Sequence, residues 1–393
     1  MESGDSGRLS FSQLLLILLG LAYVAVGFWY LQGLNWVPHA RSYAQYLPGL
    51  KAEYYGIVPY RSGAILALRL DSGAYGLVAL GQYGDVLWSA KVGGPVLAFA
   101  TSDVGSVYAA IGIGNRLDVL RFPGDGSYSP ERVQSVSLGD WSVASPLSVP
   151  VSDNLVIPVQ SNSRSGVLVL APDSNTGTVY YCDSCDFTLI SSARYKPNRF
   201  SPYQYVYMAT SRYGGLLFEG GFGSAKDLPV VPLSFCDGYL ISASPNGHLL
   251  VGTIAENNST YEYNEFNIGV STATCSDGIV FAYTATDRLL VHPVGGKLYL
   301  GPNYLKPVTS ATDVVYSWVA GARGGTPALL HNPSGSVSCP DSFVSADVNV
   351  TSGSDPYTSF RMLSATVHLA PLSAPALPLR PLPVKQDYWC YNP

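Results

Sequence analysis

The sequence predicts an all-β chain: a seven-bladed β-propeller, eight-bladed if the last strands form a blade of their own, behind one N-terminal transmembrane helix. Three observations predict it. Tyr (28), Gly (40) and Pro (28) are abundant while Met (3) is scarce, which is a composition of pleated surfaces and turns. A two-strand pattern recurs along the whole body. Ahead of that body stands one long stretch, residues 9–37, without a charged side chain.

In chain order the first element is a short cytoplasmic N-terminus, residues 1–10. The span follows over 11–37. Its core, LLLILLGLAYVAVGFWYL at 14–31, covers roughly 27 Å as a helix, and its flanks complete a bilayer core. Phe28, Trp29, Tyr30 and Trp36 gather at one end, where an interfacial aromatic belt lies. A cleaved signal peptide is the alternative, but Glu2 and Asp5 precede the run and no small-x-small site follows it. Arg41 and Lys51 outweigh Arg8 and favour a cytoplasmic body. Against that stand the sequons at Asn257, Asn258 and Asn349, the cysteine pattern and a charged fraction of only 12 %. The expected topology is therefore N-terminus in and body extracytoplasmic, on a cell surface or virion envelope. A linker (38–50) leads to the propeller (51–370) and a Pro-rich C-terminal strap (371–393).

The repeat in the body starts with a polar turn. Five or six alternating residues rich in Val, Tyr and Ile follow, then a Gly, Asn or Asp turn and a second apolar run, which is the grammar of a β-hairpin. SDVGSVYAAIGIGNRLDVLRF at 102–122 is the clearest copy, and CDGYLISASPNGHLLVG and CSDGIVFAYTATDRLLVH begin at Cys236 and Cys275. The hairpins start near 53, 103, 153, 203, 237, 277 and 313, with room after each for two more strands. A four-stranded blade buries neither face alone, whereas radial stacking buries both. The late segments FVSADVNV and SFRMLSATVHL then supply the closing strand or an eighth, irregular blade.

Residues 84–122 carry a family resemblance. GDVLWSAKVGGPVLAFATSDVGSVYAAIG supplies Gly84, Trp88, Gly93, Gly94 and the Val107-Tyr108 pair, and so resembles the repeat of quinoprotein-type (PQQ-like) β-propellers. The resemblance implies a propeller and does not imply the quinone cofactor. A weaker one lies in GGKLYLGPNYL, SCPDSFVS and SDPY within 295–357, which is similar to paramyxovirus-type attachment glycoproteins. It implies an architecture and a role, a membrane-anchored propeller head used for attachment. This chain lacks that family's stalk, its many cysteines and its sialidase motif.

The remaining motifs favour recognition over catalysis. GIGNRL at 112–117 lacks the third glycine of a dinucleotide fingerprint and continues into a strand, so it reads as a hairpin turn. Without a Lys/Arg stripe at a net charge of −5, nucleic acid is not an expected partner. Cys182 and Cys185 are expected to form a short local disulfide. Cys236 and Cys275, at equivalent positions in neighbouring hairpins, are expected to meet across two blades, leaving Cys339 with Cys390 to pin the tail. His292 and His331 end the second strands of adjacent hairpins; a metal would need them on one rim, and no metal or other cofactor is expected. Glu131, Glu219, Glu256, Glu262 and Glu265 give no acid/base pair of the glycosidase type. The long connection ARYKPNRFSPYQY offers Arg194, Tyr195, Lys196, Arg199, Phe200 and Tyr203, the Tyr-plus-Arg composition of binding hot spots. The expected function is a membrane-anchored, non-catalytic recognition or assembly scaffold with a protein or glycan partner at blade loops. The alternative is a propeller enzyme, a glycan hydrolase or quinoprotein, with its site at the central channel.

Overall fold

Runs rich in Val, Leu, Ile and Ala, such as those of residues 63–70 and 96–101, pair into meanders whose consecutive residues are buried, as in sheets covered on both faces. The computed structural model describes residues 19–20, 22–23, 42–102, 105–124, 129–144, 148–162, 164–183, 187–195, 204–211, 214–276, 278–301, 305–312, 317–331, 344–373 and 379–392. Met1–Arg41 and Ser42–Pro393 are separate units, and all the described strands belong to the second. The span expected over 11–37 lies outside the described residues apart from Leu19, Gly20, Ala22 and Tyr23, which are helical. Among the described residues no helix is long and apolar enough to cross a membrane.

The strands form a β-propeller. The first sheet runs from Ala52–Tyr60 outward through Gly63–Leu70 and Tyr75–Leu80 to Val86–Val92. The second runs from Val96–Thr101 to Glu131–Ser137, the third from Ser142–Val143 to Thr176–Cys182, and the fourth from Phe187–Tyr195 to Ser224–Leu228. The fifth is larger and extends from Val231–Cys236 to Tyr299–Gly301. The sixth holds Lys306–Thr312, Ser317–Arg323 and Thr326–His331, and its next strand is the N-terminal Ser42–Tyr46. Val96–Thr101 of the second sheet meets Leu155–Ser161 of the third, Phe187–Tyr195 of the fourth meets Val231–Cys236 of the fifth, and Lys306–Thr312 of the sixth meets both the fifth sheet and Ala52–Tyr60 of the first. The ring is thus closed, with the chain's first strand completing its last sheet.

The core is distributed between sheets. Val58, Ile65 and Leu77 of the first sheet pack on Phe99, Ile111 and Phe122 of the second. Equivalent buried clusters join second to third, third to fourth, fourth to fifth and fifth to sixth. Each sheet therefore buries both faces, which is what the radial arrangement achieves.

Among the described residues six sheets stand in place of the seven or eight separate blades expected. The reason is the 17-residue strand Thr260–Ser276, which serves two ladders. Its first part pairs with His248–Ala255 and its second with Ile279–Thr284, so the hairpins that start near 237 and 277 share one nine-stranded sheet. That sheet folds on itself: Ile241, Leu249 and Val251 pack against Val280, Ala282 and Leu290. Nor do the last strands close the ring or build an eighth blade. Val344–Ser345, Val350–Pro356, Thr358–Arg361, Leu363–His368, Ala370–Pro371, Arg380–Pro381 and Asp387–Asn392 each pair antiparallel with an outer strand elsewhere in the ring. They run from the fifth sheet back along the fourth, third, second and first to the sixth, so the described residues of 344–373 and 379–392 form a belt along the outer strands of the propeller.

A second regularity was invisible in sequence. Leading strands carry a β-bulge against their neighbours at Tyr54/Gly56, Val96/Ala98, Leu189/Ser191, Pro232/Ser234, Val270/Thr272 and Pro307/Thr309. A bulge sharpens the local twist and re-aims the residues that follow. Those residues are small: Gly56, Ala98, Ser191, Ser234, Thr272 and Thr309. At Gly56 the cause is plain, because a Cβ there would fall 2.5 Å from Val149 Cγ2. Gly56→Val is expected to destabilise the soluble body by about 1–3 kcal/mol through overpacking, read as a lower urea midpoint at unchanged slope.

Candidate functional site

The centre of the ring and one part of its rim are where the expected chemistry can be checked. Toward the centre, hydroxyls brace neighbouring leading strands. Ser192 Oγ accepts from the Val151 amide at 2.7 Å and donates to the Val151 carbonyl at 3.1 Å. Ser234 Oγ accepts from the Cys275 amide at 3.1 Å, and Ser310 Oγ donates to the Cys275 carbonyl at 2.6 Å. Thr274 Oγ1 and Ser310 Oγ are 2.6 Å apart, and Tyr55 Oη accepts from the Val96 amide at 2.7 Å. Among the described residues of the leading strands, Glu53, Arg194 and Lys306 are the only acids or bases besides tyrosines, and they sit near strand ends. Glu53 pairs with Arg69 at 2.8 Å on the exposed surface.

On the rim, Arg194 is exposed near the end of Phe187–Tyr195 and stands opposite Tyr205 across the ladder. Tyr205 Oη donates to Asp153 Oδ1 at 2.9 Å. Burial first, and then the Asp153 carboxylate, hold the Tyr205 hydroxyl well above the ordinary tyrosine value, while the charge of Arg194 works in the other direction. Two residues on, Tyr207 shares the same face, its ring 6.3 Å from that of Tyr205, and its hydroxyl lies 2.7 Å from Ser152 Oγ. Burial pushes Tyr207 up to about 12. Tyr207 meets Phe222 at 4.4 Å, and Phe222 meets Tyr180 at 6.1 Å. The result is an aromatic row that runs from the core to a rim whose described residues include Arg194 and the Asp153 carboxylate that accepts from Tyr205. Both tyrosine hydroxyls stay protonated at neutral pH, so the row offers donors and rings but no base. Tyr195's side chain, Lys196, Arg199, Phe200 and Tyr203 lie outside the described residues. Asp153, Tyr205 and Tyr207 were missed as site residues, although the period-two run YQYVY at 203–207 signals a face of tyrosines.

The other candidates separate. His292 and His331 are in different sheets and both are buried. His292 packs on Phe266 at 4.8 Å and His331 on Trp318 at 5.5 Å, so both are core residues and the two strand ends do not bring them together on one rim. Among the described residues no cluster of three His, Cys, Asp or Glu side chains could hold a metal. Burial lowers the His292 pKa below the usual value near 6.5, against a smaller opposing hydrogen bond to the Lys297 backbone. The unfolded chain therefore takes up this proton first on acidification. Stability present above about pH 6.5 is expected to fall as pH drops toward 5, and His292→Phe to flatten that slope. Urea midpoints at pH 7.5 and 5.5 check it.

Glu219 and Glu256 meet at Lys226, 2.5 and 3.1 Å from its Nζ, and Glu265 meets His248 at 2.9 Å. Glu219 and Glu256 are thus ion-paired with one lysine, and Glu265 shares a hydrogen bond with an imidazole. Gly114, at φ +64°, makes the turn of the GIGNRL hairpin, whereas Gly112 lies inside the strand Val107–Ile113. A Cβ at Gly112 would fall 2.8 Å from Leu97 Cδ1, so close packing, not a phosphate, requires it. Asn257, Asn258 and Asn349 are exposed. Cys236 and Cys275 are disulfide-bonded with Cα atoms 5.8 Å apart, joining the two halves of the folded nine-stranded sheet. Cys182 is also disulfide-bonded, and Cys185, Cys339 and the side chain of Cys390 lie outside the described residues.

No protein-family model and no curated protein sequence matches the chain. Similar solved structures include BamB from Moraxella catarrhalis, with TM-score 0.40 and 13% identity over 70% of this chain and 95% of that one. A catalytically inactive virginiamycin B lyase from Staphylococcus aureus with quinupristin has TM-score 0.41 and 10% identity over 72% of this chain and 97% of that one. The WD40 β-propeller domain of Doa1 has TM-score 0.43 and 12% identity over 73% and 96% respectively. These are likenesses across the body of the chain and assign it to no family.

Proposed function

We propose that the protein is a non-catalytic recognition or assembly scaffold, a propeller carried on its N-terminal span and displayed outside a cell or on a virion. One observation carries this reading: hydroxyls of the leading strands are engaged in bracing neighbouring strands, while accessible charge and aromatic surface gather at the rim around Arg194, Tyr205 and Asp153. A buried disulfide and exposed sequon asparagines suit an extracytoplasmic body. Kinship with quinoprotein-type repeats rests on residues 84–122 and is not required by the reading.

The partner is a protein or glycan that accepts a hydrogen bond from Arg194 and stacks on tyrosine. The test is binding of the soluble body, residues 42–393, to intact cells and to a glycan array. Arg194→Ala is expected to lower affinity at least about tenfold, the worth of one charge-assisted hydrogen bond at an interface. Unchanged binding by Arg194→Ala would remove the rim from the reading. Glycan turnover by the soluble body would replace the scaffold with an enzyme.

A further inference from the structure

Every one of the six sheets ends, on its outer side, in a strand drawn from residues 344–392. An outer strand left bare would present a row of unpaired amides and carbonyls, which is a template for another chain. Here that row is filled from within, and the fit is built for this segment. Between successive belt strands single apolar side chains drop into the clusters that join neighbouring sheets. Tyr357 enters the fourth–fifth cluster, Met362 the third–fourth and Leu369 the second–third, each less than one-tenth exposed. Lys226, held by Glu219 and Glu256, lies over the Tyr357 ring at 5.5 Å. Gly353 sits beneath Tyr263, where a Cβ would fall 2.6 Å from the ring, and Tyr263 Oη donates to Asp355 at 3.0 Å.

The grip is uneven. Val350–Pro356 pairs over seven residues and Leu363–His368 over six, but Ala370–Pro371 and Arg380–Pro381 over two each. Proline supplies no ladder amide, which explains the short pairings along the Pro-rich stretch. Val344, Val350, Leu363 and Leu372 remain 40–59% exposed along the belt.

We propose that residues 344–373 are a self-inserted cap: they occupy, from within the chain, a strand-accepting rim whose other occupant is the same segment of a second copy. The successive edges differ in length, and each crossing takes a different plug. The chain that matches them in order is therefore this one, and releasing the belt converts a monomer into belt-exchanged oligomers.

The experiment uses the full body with residues 332–337 deleted, which shortens the connection to the belt and leaves residues 42–331 and 338–392 unchanged. Light scattering is expected to show self-association at least tenfold tighter than wild type, weakened by a synthetic peptide of residues 344–373. Hydrogen exchange is expected to show residues 350–356 and 363–368 as protected in the associated form as in the wild-type monomer. A variant that stays monomeric wherever wild type does would overturn the proposal. So would association that leaves those residues unprotected, or that the peptide leaves unchanged. If the deletion variant does not fold, the same readings are taken on wild-type protein refolded from urea at high concentration, and a product that is monomeric at every concentration overturns the proposal.

Discussion

Replacing Cys236 and Cys275 together by alanine is expected to cost the body about 4 kcal/mol, the chain-entropy value for a loop closed over 39 residues. The bond sits where the need is greatest. It ties Val231–Cys236 to the second half of Thr260–Ser276, and those two elements belong to one sheet that must fold back on itself. Both sulfurs are buried among Ile241, Leu249 and Val280, so the alanine pair also leaves a small void in that cluster. Urea unfolding of oxidised wild type against the double variant measures it. A midpoint that does not move would mean the halves of the sheet hold without a cross-link.

The second large effect concerns closure. Ser42–Tyr46 lies between Thr326–His331 and Asp387–Asn392, so its backbone is paired on both sides. Ala44, opposite Leu330 on one side and Cys390 on the other, is the central residue of that strand. Ala44→Pro removes a ladder amide and orphans its carbonyl partner, about 1–3 kcal/mol for that group alone. Because the same strand also receives the end of the belt, the loss is expected to spread. Limited proteolysis should cut the variant at both the N-terminal strand and residues 380–392. Wild-type resistance at both places would show that the ring closes without this strand.

The hairpins were legible because their cue is local: alternating Val, Tyr and Ile bounded by Gly, Asn or Asp, as in residues 107–122. The disulfide was legible for the same reason, since Cys236 and Cys275 open two similar hairpins. The number of separate sheets was not, because nothing local marks Thr260–Ser276 as one strand serving two ladders. The belt was hidden too. Its strands, such as VTSGSDP and LSATVH, lie along an edge with most side chains in solvent, so no hydrophobic alternation is required of them. At the rim, Arg194 stood out by composition, but its neighbourhood did not. Asp153 is 52 residues from Tyr205 in sequence and lies between Val151–Ser152, paired in the second sheet, and Leu155–Ser161 of the third, so tertiary packing brings the two together.

Hydrogen exchange on the intact body tests the central claim most directly, that one continuous C-terminal segment binds every sheet of a closed ring. The amides of 350–356 and 363–368 are expected to exchange as slowly as those of the outer strands they pair with, and those of Ala370 and Arg380, held by two-residue ladders, measurably faster. Exchange across 350–368 at the rate of an unstructured chain, with the sheets themselves protected, would contradict the belt.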